Sequence, residues 1–325
     1  MTRRYLQSVL LAGALVAGLS AAPALADSNY PNRPVRVVVP LTPGSGADIV
    51  ARTLAKSLEA LWRQPVIIEN KPGAGGTIGT REVVSAPADG YTLLIQSASH
   101  AANPAIYKSL PYDPTKDLID VALLATSPYV LVSAMDGPYQ TVKAIVDAAK
   151  VKPQAVPFAS AGMGTASHLV AELFAMHAKL DMLHIPFKGS PDAITDVAGG
   201  RTAFYMAPLS TVRGMLNTKL RPVAVTSAER AASLPSVPTV AESGYPDVKV
   251  DLWIGMWAPA GTPDDVIQKL AKDVSQALQS PELQATYAAA GNQVRLMSPV
   301  DFAQFVRKDI DTNKQLVKQA NITPQ

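Results

Sequence analysis

Cysteine is missing from all 325 residues. Its absence excludes disulfides, thiolate metal sites and a lipid anchor attached through a cysteine at a processed N-terminus, so stability has to come from a large core. Long apolar runs are missing beyond Ala26, and nothing there is long enough to cross a bilayer as a helix. An excess of one charge is missing too: 29 Lys and Arg stand against 26 Asp and Glu, a balance that gives no reason to expect nucleic acid or a membrane surface as a partner. Signatures of catalysis fail in the same way. There is no Gly-x-Ser-x-Gly and no His-Glu-x-x-His, and His100, His168, His177 and His184 have no acid partner in a motif. His168 and Glu172, four apart on a predicted helix, read more simply as a surface hydrogen bond than as metal ligands. A binder is indicated rather than an enzyme, with no metal and no cofactor implied.

What is present begins with a leader. Arg3 and Arg4 precede an apolar stretch from Val9 to Leu19, and Ala24-Leu25-Ala26 follows. That is the pattern of a secretory signal peptide, too short in its apolar part to be a stable span, with small residues at alternate positions for signal peptidase. Cleavage is expected after Ala26, which releases a soluble periplasmic chain of about 300 residues, enough for two α/β domains.

The mature part alternates. Val35 to Val39 is a β-branched run ending at Pro40, and from Ala47 apolar residues recur at helical spacing through Ile49, Val50, Leu54 and Leu58. Strand, helix, strand then repeats over Pro65 to Glu69, Gly76 to Val84 and Tyr91 to Ile95, as expected of a parallel sheet covered by helices. A second such unit is expected from Ala155 to Ala159, Leu183 to Ile185, Thr202 to Met206 and Arg221 to Val225, with His168 to His177 helical. Trp253 to Pro259 reads as a strand that places both tryptophans on one side, and helices follow over Pro263 to Leu278, Pro281 to Ala289 and Pro299 to Gln319. Neither repeats nor low-complexity tracts interrupt this.

Two glycine turns sit where a strand gives way to a helix. Pro43, Gly44, Ser45, Gly46, Ala47 and Asp48 form one; Ser160, Gly162, Met163, Gly164 and Thr165 belong to the other. Free backbone N–H groups and the positive end of a helix dipole at such a turn suit an anion, and one turn per lobe lets a carboxylate be gripped from both sides. Simpler roles are open as well: Asp48 supporting its helix start, Thr165 capping its own. A dinucleotide fingerprint at the first turn lacks its third glycine, and Gly73 to Gly79 lacks the lysine of a phosphate loop, which leaves it a left-handed turn into a helix.

Longer segments carry a resemblance: Tyr30 to Val35, Pro40 to Asp48 with Ala51-Arg52, Glu69 to Gly76, Pro87 to Tyr91, Asn103 to Ala105, Ala159 to Thr165 with His168, His184 to Gly189, Ala224 to Ser227, Pro235 to Thr239 and Ala258 to Pro263. In this order over nearly the whole mature length, they resemble the Bug family, the solute receptors of tripartite tricarboxylate transporters. The resemblance implies a two-lobed α/β fold of the type II periplasmic-binding-protein kind, a Venus flytrap of mixed, mostly parallel sheets flanked by helices. One lobe would comprise residues 27–126 with 252–325, the other 127–251. It implies a monomer that closes on a small carboxylate (a di- or tricarboxylate, an amino acid or an aromatic acid) and presents it to integral membrane permease subunits. A carboxylate-sensing subunit of a signalling system would have the same sequence. Beyond the two turns, the resemblance places Ser97, Ser99 and His100 at one cleft edge and Ala207, Pro208 and Leu209 at the other. Family members often have paired glycines after the equivalent of Pro43, where this chain has Gly44-Ser45-Gly46.

Overall fold

The computed structural model describes residues 30–320 and 322–324, so the expected leader and its expected cleavage after Ala26 lie outside the described residues. The β-branched run Val35–Val39 forms β1, flanked in parallel by β2 (Val66–Asn70) and β3 (Thr92–Ser97). Between β1 and β2 runs α1 (Gly46–Trp62). Ser45 caps its start, accepting the Asp48 N–H at 3.4 Å, and Val50, Leu54, Leu58 and Trp62 recur every fourth residue as its buried stripe. Arg63, in the left-handed region, ends it. Two eight-residue helices follow, α2 (Thr77–Val84) before β3 and α3 (Ser99–Ile106) after it.

The antiparallel share of the fold turns on one strand the sequence did not announce, joined by three that it did. β4 (Leu118–Ala134) is 17 residues long and serves two sheets. Its first part, Leu118 to Pro128, pairs antiparallel with β9 (Asp251–Pro259), which in turn pairs with β3. From Tyr129 on, β4 pairs instead with β7 (Phe204–Pro208) on one edge and β8 (Leu220–Val225) on the other. The order is β2-β1-β3-β9-β4-β7-β5-β6, where β5 (Pro157–Ser160) and β6 (Leu183–Pro186) are parallel. This is the mixed, two-lobed α/β architecture expected of a periplasmic binding protein.

Helices α4 (Val142–Val151), α5 (Ala166–Ala178), α6 (Ser190–Ala198) and the short α7 (Leu209–Val212) cover the second sheet's part of the chain. The last three, α8 (Asp264–Leu278), α9 (Pro281–Ala289) and α10 (Pro299–Gln319), return to the first, where the Trp62 indole donates to Asp273 of α8 at 2.6 Å. Among the described residues no helix is long and apolar enough to cross a membrane.

Where the chain passes between the sheets it is stapled. Buried Thr226 donates its N–H to the Tyr129 carbonyl at 2.9 Å, accepts the Tyr129 N–H on its hydroxyl at 3.1 Å, and accepts the Val250 N–H at 3.0 Å. Beside the first crossing, Thr126 exchanges two 2.8 Å bonds with Gln293, in the segment between α9 and α10. Backbone bonds at these crossings fix their register while leaving the two sheets free to be levers on either side.

Candidate functional site

A cavity of about 520 Å³ lies at the carboxyl ends of the parallel strands, between the two sheets. Placement there follows from the strand-turn-helix order: each such step leaves a helix start at the same edge of its sheet, where ligands of open α/β folds sit. Four helix starts border the cavity, through Ser45 to Ala47 of α1, Gly76 before α2, Thr165 to Ser167 of α5, and Gly189-Ser190 of α6. First-turn N–H groups have no acceptor a turn back, so those of Gly46 and Ala47 are open to a ligand. Among the described residues no Asp, Glu, Arg or His lines the cavity, and the one charged lining residue is the exposed Lys188. The potential inside is therefore positive from dipoles and one ammonium, with nothing acidic to oppose an anion.

The first turn is braced from behind. Asp48 is buried and directed away from the cavity: one oxygen accepts from Gly44 N at 2.9 Å and Arg52 Nε at 3.0 Å, the other from Asn70 Nδ2 at 2.9 Å. Asn70 also donates to the Leu41 carbonyl at 3.0 Å, tying the loop to β2. Burial alone would raise the Asp48 carboxyl, but the Arg52, Gly44 and Asn70 donors outweigh it and hold it below its ordinary 3.8. Asp48→Asn is expected to cost roughly 1–3 kcal/mol, a few degrees in Tm. Because the folded-state pKa is depressed, the wild-type advantage is present above the ordinary 3.8 and fades as pH falls through the folded value. Urea unfolding of both proteins across acid pH checks this; a gap that does not narrow below 3.8 would remove the charged brace.

The second turn rests on a stack of rings. His184 lies 4.0 Å from His168 and 4.9 Å from Phe158, centroid to centroid, and its Nε2 is 2.6 Å from Ser160 Oγ. Burial, with His168 adding to it, holds His184 down to about 3, so the ring is neutral and serves as a plate under the loop. His168 accepts the Gly164 N–H on Nδ1 at 3.4 Å, and its Nε2 lies 3.4 Å from Glu172. Gly162, at φ +132, has a backbone shape that L side chains rarely adopt.

Of the residues singled out from sequence, Ser45, Gly46, Ala47, Ser97, Ser99, Gly162, Met163, Thr165 and Pro208 line the cavity. The remainder do not. Pro43 and Gly44 are exposed beside it, while Ser160, Gly164 and Asp48 shape the loops. Ala207 and Leu209 are packed in the second lobe's core. His100 is fully buried against Trp257 at 4.3 Å and is kept neutral by burial, at about 3. Sequence reasoning missed Gly73 to Gly76, Pro186 to Ser190, Thr42 and the phenols Tyr107, Tyr129 and Tyr205, all of which line the cavity. Gly73, Ala74, Gly75 and Gly76 all have positive φ, which a glycine-rich run could have announced.

Residues of the two sheets meet at the cavity. Ser99 accepts the Ala166 N–H of α5 at 3.0 Å, and a side chain on Gly164 would press on Ile106 and Tyr107 at 3.0 and 3.3 Å. A Cβ on Gly189 would overlap Thr42.

This fold has counterparts. A family model described as "Tripartite tricarboxylate transporter family receptor" matches residues 50–322. Protein BugT of Bordetella pertussis (strain Tohama I) is 35% identical over 302 residues, covering 92% of each chain. Two solved structures are similar. R. palustris Rpa4515, solved with adipate, has a TM-score of 0.88 at 30% identity over 91% of this chain and 100% of its own. MatC from Rhodopseudomonas palustris, with bound malate, has a TM-score of 0.84 at 31% identity over 89% of this chain and 100% of its own. Helix starts around one inter-sheet cavity, without a reactive pair of side chains, suit solute binding rather than catalysis, and by its match along most of its length this chain belongs to the tripartite tricarboxylate transporter receptor family, the Bug-type solute-binding proteins.

Proposed function

We propose that the chain is exported, trimmed after Ala26, and acts in the periplasm as a monomer that captures a small carboxylate and presents it to the permease subunits of a tripartite transporter. One observation carries the ligand class: among the described residues the cavity gathers four helix starts and Lys188 and no acidic side chain. The relatives with adipate and malate support it. Residues 27–126 with 252–325 form one lobe and 127–251 the other, and capture is their approach about the crossings at Thr226. The pairing of β4 supports this division, since it passes from β9 to β7 and β8 between Pro128 and Tyr129.

Thermal unfolding of the purified protein with carboxylates, sugars and simple cations tests the reading. A carboxylate at a hundred times its Kd stabilises by about 2.7 kcal/mol, and a shift of about 5 °C or more in Tm is expected for it alone. Shifts with sugars or cations, and none with any carboxylate, would sink the proposal.

A further inference from the structure

We infer that Leu169 is a latch between the lobes: a side chain of α5 seated in an apolar socket formed by α3 and the end of α10, which favours the closed molecule whatever the cavity holds. This rests on the two-lobe division proposed above and not on which solute is captured.

Helix α5 carries apolar residues on two faces. Ala166, Val170, Phe174 and Ala178 recur every fourth residue, and with Ala171 they join the main core, where α5 packs on β5 and β7 of its own sheet. Leu169 stands off that stripe. It is only 2% exposed, yet among the described residues its cluster holds no other side chain from the second lobe. Its companions are Ala102, Ala105 and Ile106 of α3 and Val317 of α10, with Tyr107, Leu316 and Ile322 packed against them.

The socket is built on the first lobe. α3 follows β3, and α10 lays Phe302, Val306 and Ile310 on the main core before its last turn carries Val317 beyond it. There α10 packs against α3, and it touches α5 as well. After Ala320 the chain folds back: the Ile322 N–H donates to the Val317 carbonyl at 3.0 Å, which holds Ile322 against the cluster. Two contacts fix how α3 lies on α5. Ser99 at its start accepts the Ala166 N–H at 3.0 Å, and Ile106 at its end faces Gly164, whose added Cβ would come within 3.0 Å of it. α3 therefore crosses the beginning of α5, and Leu169 meets it just past the first turn.

Parting the lobes draws α5 away from α3 and α10, so Leu169, Ile106 and Val317 pass from buried to wet. Returning apolar surface to water opposes that step. Ala102, Ala105, Ile106, Leu169 and Val317 are all clear of the cavity lining, so the opposition is the same for an empty cavity and a filled one. A larger closed fraction raises the affinity for every solute by one common factor, from a place that no solute touches. The second apolar face of α5 has its reason here: on a helix that covered only its own sheet, a leucine at 169 would face solvent.

The chain has no cysteine, so spin labels can be placed through Lys56→Cys on α1 and Thr195→Cys on α6, exposed sites on helices whose starts both border the cavity. Electron–electron double resonance on the labelled protein, with no carboxylate added, reads the closed and open distances. Leu169→Ala is expected to raise the open-to-closed ratio about tenfold while keeping Tm within about 3 °C of the labelled parent, because in the open form the position is wet already. Val317→Ala, on the other side of the socket, is expected to move the ratio the same way. Leu169→Asp, which sets a carboxylate in the socket, is expected to make the open distance the major one even where the parent shows the closed distance alone. Val170→Ala, the next residue along but in the core stripe, is expected to lower Tm and leave the distances unmoved. Unmoved distances in Leu169→Asp overturn the latch, as does a parent that shows the open distance alone, and a loss of Tm in Leu169→Ala without a change of ratio makes Leu169 an ordinary core residue. None of these outcomes needs a bound solute, so the receptor reading stands or falls separately, on thermal unfolding with carboxylates.

Discussion

Gly189→Ala is expected to lower ligand affinity by about one to two orders of magnitude while leaving the Tm of the unliganded protein within about 2 °C of wild type. Gly189 has an extended backbone, φ 178, so alanine fits it without strain in an open molecule. Across the closed cavity an added Cβ would lie 2.7 Å from Thr42 Cγ2 and 3.0 Å from its Cβ, and closer still to its hydroxyl. Rotation of the Thr42 side chain cannot relieve all three contacts, since its Cβ does not move with it. The clash therefore penalises only the state in which the lobes meet, and a ligand that needs that state loses the corresponding free energy. Thr42→Ala in the same chain removes the two nearest atoms and should recover part of the affinity, a coupling that independent mutations would not show. Calorimetry on the single and double variants measures it. Wild-type affinity in Gly189→Ala would mean that the loops do not meet in the liganded protein, and a large loss of Tm would mean a fault in folding instead.

The largest effect on stability should come from Trp257→Ala, about 3–5 kcal/mol, or roughly 10 °C in Tm. Trp257 is wholly buried on β9, with ring centroids 4.3 Å from His100, 5.4 Å from Phe302 and 6.0 Å from Trp253. Its indole N–H donates to Asp120 at 2.8 Å across the strand pair. Trp257→Phe separates the packing from the bond. Burial pushes the Asp120 carboxyl up, and the indole and Arg307 oppose this, so loss of the indole raises it further. A raised carboxyl favours folding below its ordinary 3.8 and costs stability as pH rises through the folded value, so Trp257→Phe should be further below wild type at pH 7 than at pH 4. Urea titrations at both pH values compare the two proteins; an equal deficit would mean that the bond to Asp120 contributes nothing.

The fold was legible wherever a residue pattern answered to local geometry. Val35 to Val39, the start of the capped helix after Ser45 and the proline-started helices α9 and α10 stand at or within a residue of their expected bounds. β4 was not legible. Its run Leu118 to Ala134 is buried on both faces for much of its length, so it has no alternation, and it contains Pro128 where it changes partners. Pairing across more than a hundred residues leaves no local mark. The two strand-turn-helix loops were visible as glycine turns, and most of their inner residues do face the cavity. Asp48 is visible only as a polar side chain in the first turn, and His100 only as one at the cleft edge that the resemblance implies. Which way such a side chain faces depends on Arg52 and Asn70 in one case and Trp257 in the other, partners set by tertiary packing. The Gly73 to Gly76 loop reads in sequence as a left-handed turn into a helix, and nothing local says that this turn faces the cavity.

β9 lies between β3 and β4 in the finished sheet, although it follows both in the chain by more than a hundred residues. During synthesis the nascent first sheet therefore has a gap in its middle until residues 251–259 emerge, and no early fragment can complete it. Contacts of such long sequence separation slow folding. Under the export proposed above, that delay would keep the polypeptide threadable while it waits to be translocated, so strand order itself would work against premature folding on the wrong side of the membrane.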